Sequence, residues 1–213
     1  EGFIRTFLER DIPQLASALP APALRRLWTM IAHNHGGIAN LAAISRSLVI
    51  SQPTVTRWVD LLVHTFVLRS LRPWTSNLGK RLVKRPKLYI RDSGILHGLL
   101  TLETEKEVIS HPILGASWEG FALEETVRRL RLDSESVYFW KTHAGAEIDL
   151  LFERQGRRFG MDFKFSDAPT MTRSITSART DLHLDHVWIV YPGTRTYALD
   201  DDVTVVPLDH ENL

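Results

Sequence analysis

The stretch Ala146–Ser166, AEIDLLFERQGRRFGMDFKFS, reads as two apolar strands joined by a polar turn at Gln155-Gly156. Charge sits inside those strands: Asp149 in the first arm, Asp162 and Lys164 two residues apart in the second. A strand meant only to fill a core carries Val or Ile at such positions. Side chains at i and i+2 share a strand face. Asp162 and Lys164 therefore lie together, opposite Phe163 and Phe165, which the alternation points into the core. Glu147 and Asp149 likewise share a face, opposite Ile148 and Leu150. The turn makes the two strands neighbours and brings Asp149 beside Asp162. Two carboxylates with a lysine suit a hard divalent cation, Mg2+ or Mn2+, and an activated water. The lysine, a compact point charge, stabilises developing negative charge or positions the nucleophile. The other reading of these residues is an ion-pair cluster on the surface of an edge strand.

Around this stretch helices and strands interleave. HPILGASWEGFALEETVRRLRL reads as a long amphipathic helix, SVYFWKT as a strand, MTRSITSARTDL as a crossover helix, and HVWIVYPG and VTVVPL as further strands. This order predicts a mixed α/β sheet over residues 101–213, with the polar segment 101–111 as a linker. Residues 1–100 read differently. EGFIRTFLERDIPQL is a helix ending near Pro13. In APALRRLWTMIAHNHGG, Leu24, Leu27, Trp28 and Ile31 keep helical spacing until Gly36-Gly37. IANLAAISRSL is a second short helix. Ser51 then caps a third, with Pro53 in its first turn and a Val55–Val59–Leu62 stripe edged by Trp58. Two strand-like runs flanking a Lys/Arg-rich loop follow, and DSGILHGLL opens another helix at Asp92 or Ser93. Three helices and a basic hairpin match a winged helix-turn-helix.

Charge divides the same way. Residues 1–100 hold 14 Lys and Arg against 5 Asp and Glu, whereas residues 101–213 hold 12 against 20. A basic unit attracts polyanions, so nucleic acid, DNA first, is the expected partner; two mutually neutralising faces of one protein would give the same split. Gln52, Thr54, Thr56 and Arg57, on the polar side of the third helix, are types that reach base edges or phosphates. Lys80, Arg81, Lys84, Arg85 and Lys87 would form a wing tracking a backbone; a protein-docking winged helix is the alternative. Cysteine is absent, which excludes disulfides and Cys-based zinc sites and points to a reducing cytoplasm. No apolar run approaches the roughly 20 residues of a membrane span, and no signal-peptide pattern is seen.

Asp149 followed by Asp162-Phe163-Lys164 resembles the PD-(D/E)XK nuclease signature, an acid on one strand before acid-x-Lys on the next, and Glu119 in ASWEGFALEE matches the helical glutamate of that family. The resemblance makes Glu119, Asp149, Asp162 and Lys164 catalytic and the three acids metal ligands. No proline precedes Asp149; Ile148 stands there. In order, ERDIP, TVTRWVDLL, RPWTSNLGKRLVKRPKLYIRDSGIL, GASWEGF and AEIDLL…MDFKFS resemble the C-terminal region, catalogued as DUF4143, of prokaryotic AAA+-type ATPases, across nearly the whole chain. That implies a winged helix at 1–100, a nuclease-like domain at 101–213, and an upstream ATPase module. No G-x-x-x-x-G-K-[ST] occurs here, so no ATP site is expected in this chain, which reads as a piece of something longer. The expectation is a module that binds DNA and cleaves it by metal-dependent phosphodiester hydrolysis, or a non-catalytic DNA- or protein-binding region with a degenerate nuclease fold.

Overall fold

The computed structural model describes residues 2–15, 20–75 and 82–209. Its contacts fall into two compact units: residues 1–70 with 87–120, and residues 71–86 with 121–213. This differs from a single cut after residue 100. The 101–120 segment goes with the first unit, and the 71–86 segment goes with the second.

In the first unit, α1 (Gly2–Thr6), a π-helical turn (Phe7–Asp11) and α2 (Ile12–Leu15) follow without a break. The helix expected to end near Pro13 runs through it instead. Proline cannot donate to the preceding turn, and the helix widens just before it, with the Ile12 N–H reaching the Phe7 carbonyl. α3 (Ala21–His33) buries the predicted Leu24, Leu27, Trp28 and Ile31. α4 (Leu41–Leu48) is capped by Asn40, whose side chain accepts from the Ala43 N–H at 3.1 Å. α5 (Gln52–His64) is capped by Ser51 as expected and buries Val55, Val59 and Leu62. Trp58, read as an edge residue, is buried with them.

β1 (Leu68–Pro73) and β2 (Lys87–Ile90) follow. α6 (Ser93–Leu99) begins at Asp92, which accepts from the Ile95 N–H at 2.8 Å. The 101–111 segment is not a bare linker. It holds α7 (Glu105–Ser110), closed by a capping box in which Thr104 and Glu107 satisfy each other's backbone N–H groups. α8 (Leu114–Arg129) comes next. At the end of α3 the backbone N–H of Ile90 donates to His35 Nδ1 at 3.0 Å. Burial, and then His97, push the His35 imidazole down to about 4, so the ring is neutral. A Cβ at Gly120 would stand 2.3 Å from His35 Nε2; only glycine lets α8 pass there.

The second unit is a mixed sheet. β3 (Val137–Lys141), β4 (Glu147–Arg154), β5 (Arg157–Phe163), β6 (His186–Tyr191), β7 (Tyr197–Asp200) and β8 (Val203–Pro207) join the end of β1 in the order β1-β3-β4-β5-β6-β8-β7. Gln155 and Gly156, both at positive φ, make the expected hairpin turn between β4 and β5. α9 (Arg173–Leu182), capped by Thr172, is the crossover that sets β6 parallel to β5. It packs Ile175, Ala178 and Leu182 against Ile148, Leu151, Val187 and Ile189. β7 was not expected from the sequence. Its residues alternate between half-buried and exposed, and it stands at the end of the strand order.

Of the basic segment, residues 82–86 are described and belong to the second unit. Within the second unit, the Val83 N–H donates to the Lys141 carbonyl at 2.9 Å, and Leu82 bridges Thr142. Among the described residues no helix is long and apolar enough to cross a membrane.

Candidate functional site

Asp149 and Asp162 meet where two strands part. The β4–β5 ladder runs from Arg154↔Arg157 to Leu150↔Met161 and stops. Beyond it, β4 pairs with β3 through Ile148↔Trp140, and β5 pairs with β6 through Asp162↔Ile189 and Phe163↔Val190. The next residues in register are Asp149 and Asp162. The Asp149 carboxylate takes the place of a ladder partner: its Oδ2 accepts from the Phe163 N–H at 3.1 Å. Both carboxylates are buried, with 5% and 4% of their residue surface exposed. Burial, and then the charge of Asp149, push the Asp162 carboxyl up to about 8. Lys164 opposes that shift, its half-exposed Nζ lying 3.0 Å from Asp162 Oδ1.

Three predicted residues, Asp149, Asp162 and Lys164, are thus brought together. The face assignment holds for Asp162 and Lys164. It does not hold for Phe165: β5 ends at Phe163, alternation stops there, and Phe165 is 48% exposed. Glu119 belongs to the first unit. Its Oε1 accepts from Lys87 Nζ at 2.8 Å and from Tyr89 Oη at 2.5 Å. Two carboxylates give hard oxygen donors that fit a divalent cation. Among the described residues, however, no group of three or more His, Asp or Glu side chains is arranged to hold a metal.

The residues read as the third helix of a helix-turn-helix follow the turn between α4 and α5. Val49 is left-handed, at φ 57°, and the Ile50 N–H returns to the Ser45 carbonyl at 3.1 Å. Ser51 then caps α5, so the two helices are joined by three residues. Gln52, at the start of α5, and Arg57, in its second turn, are exposed. Thr54 and Thr56 are half-buried and engaged locally. Thr54 Oγ1 lies 2.8 Å from Ser51 Oγ and accepts from Arg57 Nη2 at 3.4 Å. Thr56 Oγ1 donates to the Gln52 carbonyl at 3.1 Å.

Lys84 and Arg85 are exposed, but in the second unit. Lys87 is a correction: it is 3% exposed because it neutralises Glu119, and it offers no surface to a backbone. Lys80 and Arg81 lie outside the described residues. The Lys87–Glu119 pair escaped the sequence reading because its members are 32 residues apart, with no motif linking them.

Two uncharacterized proteins, from Mycobacterium bovis and Mycobacterium tuberculosis, are each 44% identical to this chain over 209 residues, 98% of its length. The chain spans about half, 47%, of those relatives. No solved structure matches it. The resemblance drawn from the ordered motifs runs across nearly the whole chain, but two family models divide it. The motifs from ERDIP to RDSGIL fall in residues 1–106, which match a domain of unknown function, DUF8612, and residues 114–210 match the domain of unknown function DUF4143.

Proposed function

We propose that the chain is a nucleic-acid-binding module that lays α5 on duplex DNA as the reading helix of a helix-turn-helix. In this reading it serves an ATPase module of a longer cytoplasmic chain. The observation that carries it is the three-residue turn at 49–51, after which α5 begins with Gln52 exposed and carries Arg57, also exposed, in its second turn. Ser51 satisfies the Thr54 N–H and Pro53 has none, so the start of this 13-residue helix offers mainly its positive dipole end, which favours phosphate. Gln and Arg are bidentate readers of adenine and guanine edges.

Arg57→Ala is expected to weaken duplex binding roughly 5- to 100-fold, the range for a lost base contact. Because Arg57 is exposed, stability should stay within about 0.5 kcal/mol. Fluorescence anisotropy with labelled duplexes, beside a thermal melt, measures both. Unchanged affinity removes α5 as the reading helix.

A second reading, metal-dependent phosphodiester hydrolysis on a nuclease-like fold, is favoured by the juxtaposition of Asp149, Asp162 and Lys164. A divalent ion there would supply an activated water and screen phosphate charge. Asp149 and Asp162 would hold it, and Lys164 would face the developing negative charge. The commitment of Glu119 to Lys87 and Tyr89 weighs against it. If this reading holds, Mn2+ raises the melting temperature of the parent chain by mass action. Asp162→Asn abolishes that shift, while Lys164→Ala keeps it and loses cleavage. A flat Mn2+ titration with no cleavage leaves the binding module alone.

A further inference from the structure

Residues 101–213 are acidic, with 12 Lys and Arg against 20 Asp and Glu. Six of those twelve nevertheless crowd into two short stretches: Arg128, Arg129 and Arg131 at the end of α8, and Arg154, Arg157 and Arg158 around the β4–β5 turn. A cavity of about 660 Å³ joins the stretches, with Arg131 and Arg154 in its lining. Two acids line it as well, and both are engaged. Asp133 accepts from the Glu135 N–H and from Ser136 Oγ, and Glu153 accepts from Arg158 Nε at 3.0 Å. Among the described residues, the guanidiniums of Arg131 and Arg154 make no hydrogen bond or ion pair. A row of rings lies beside them. Residues directly opposite on paired strands share a sheet face, as do i and i+2. Arg154 is opposite Arg157, Phe152 opposite Phe159, and Phe159 opposite His186, two residues before Trp188. All six share one face, and the intervening Val187 and Ile189 pack against α9 on the other. Phe152, Phe159, Trp188 and His186 follow one another across β4, β5 and β6, with successive centroids 5.5, 5.4 and 4.7 Å apart. Phe152 is buried in the cavity wall, whereas Phe159, Trp188 and His186 are only half-buried.

We infer that this sheet face is a platform for single-stranded nucleic acid, on which Trp188 and Phe159 stack unpaired bases while Arg131 and Arg154 hold the phosphates. The inference shares its class of partner with the helix-turn-helix reading but none of its residues, so either can fail alone. Rings and surplus guanidiniums on one surface match the two parts of a nucleotide: an apolar π-face and an anionic link. Every base has such a face, so the contact tolerates any sequence. In a duplex those faces are already stacked on one another, so the platform selects single strands. Arg157 acts as a wall rather than a phosphate contact. It lies 5.4 Å over the Phe159 ring and is held by Asp185 Oδ1 at 3.1 Å. A second copy of the chain would also cover aromatic rings. In a two-fold pair, however, the patch meets itself, which sets Arg131 and Arg154 against their own like charges.

The test uses the whole chain with labelled oligo(dT) and oligo(rU) of about 12 nucleotides, within the range one such surface covers, and a blunt duplex as the third arm. Trp188→Leu is expected to weaken single-strand binding about 5- to 150-fold, the worth of one stacked base, with the salt slope unchanged. Trp188→Phe, which keeps a π-face, is expected to restore most of it, so a loss caused by misfolding is told apart from a loss of stacking. Arg131→Ala/Arg154→Ala is expected to lower the log–log salt slope by about 1.4, at roughly 0.7 for each lost contact to a single strand. Neither change should alter duplex binding, whereas Arg57→Ala should weaken duplex binding and leave oligo(dT) untouched. Circular dichroism and a melt verify that each variant is folded. The platform is overturned if the parent binds neither single strand, or if Trp188→Leu or the double arginine variant binds them with the parent's affinity and slope. Self-association of the parent that oligo(dT) does not disrupt, measured by sedimentation and lost in Trp188→Leu, makes the face a protein interface and also overturns it. Single-strand binding that falls in these variants while Arg57→Ala leaves duplex affinity unchanged supports the platform and removes α5 as a reading helix.

Discussion

At pH 9, Asp162→Asn should melt well above the parent chain; the gain should shrink toward pH 5 and vanish only below about pH 4. The Asp162 carboxyl is pushed up to about 8 by burial and by Asp149. In the unfolded chain it titrates near ~3.9. Between those values the folded protein holds a proton that the unfolded chain releases, so stability falls as pH rises. The slope is on the order of 1.4 kcal/mol per pH unit, and it is flat below the unfolded pKa and above the folded one. The proton belongs to the carboxyl pair rather than to one oxygen, so the total loss is best taken as about 2–5 kcal/mol. Asparagine mimics the protonated acid. Its amide can donate toward Asp149 while its carbonyl accepts from Lys164, at every pH. For a chain of this length each kcal/mol moves the melting temperature by about 2–4 °C. Calorimetry at pH 5, 7 and 9 gives the answer. Parallel curves for parent and variant would mean that Asp162 is ionised in the folded state and the carboxylates are farther apart in effect than their placement indicates.

That carboxyl pair shows what local sequence could and could not reveal. Strand alternation placed Asp162 with Lys164, and the Gln155-Gly156 turn made β4 and β5 neighbours, because period and turn chemistry are local properties. The parting of the strands after Leu150↔Met161 was not legible, because it depends on β3 and β6 pulling each strand to its outer neighbour. The helices were legible through their caps and stripes: Asn40, Ser51, Asp92 and Thr172 all cap in the structure. Ser51, Asp92 and the Val55–Val59–Leu62 stripe were read in advance. The Thr104-x-x-Glu107 capping box was equally readable, but the polar composition around it suggested a linker. β7 has too few residues to show a period, and its exposed positions give it no apolar run. Lys87 failed for a different reason. It sits in a basic run, and composition alone makes every lysine of such a run look solvated. Burial of one of them is a tertiary decision, made by a carboxylate 32 residues away.

Removing that lysine should cost more than any exposed basic residue nearby. Lys87→Met is expected to destabilise the chain by about 2–4 kcal/mol, because it breaks a buried ion pair on one side. The side chain of Lys87 is 4% exposed and that of Glu119 is 20% exposed, so water reaches the carboxylate and holds the cost toward the lower end. Tyr89 Oη remains on Glu119 Oε1 and keeps part of the solvation. The double variant Lys87→Met/Glu119→Leu should recover to within about 1–2 kcal/mol of the parent, since two apolar groups of similar volume pay no desolvation penalty. The interaction term of the double-mutant cycle should then exceed about 1 kcal/mol, as for side chains in direct contact. Urea melts of the parent, both single variants and the double variant measure it. A term near zero would mean that Lys87 and Glu119 do not act as a pair. The same cycle bears on the nuclease reading. A catalytic Glu119 can be replaced by Gln with loss of activity and little loss of stability. A Glu119 whose work is to neutralise Lys87 loses stability on that change, because the amide removes the negative charge held 2.8 Å from a buried ammonium. The stability of Glu119→Gln therefore separates a structural carboxylate from a reacting one before any substrate is known.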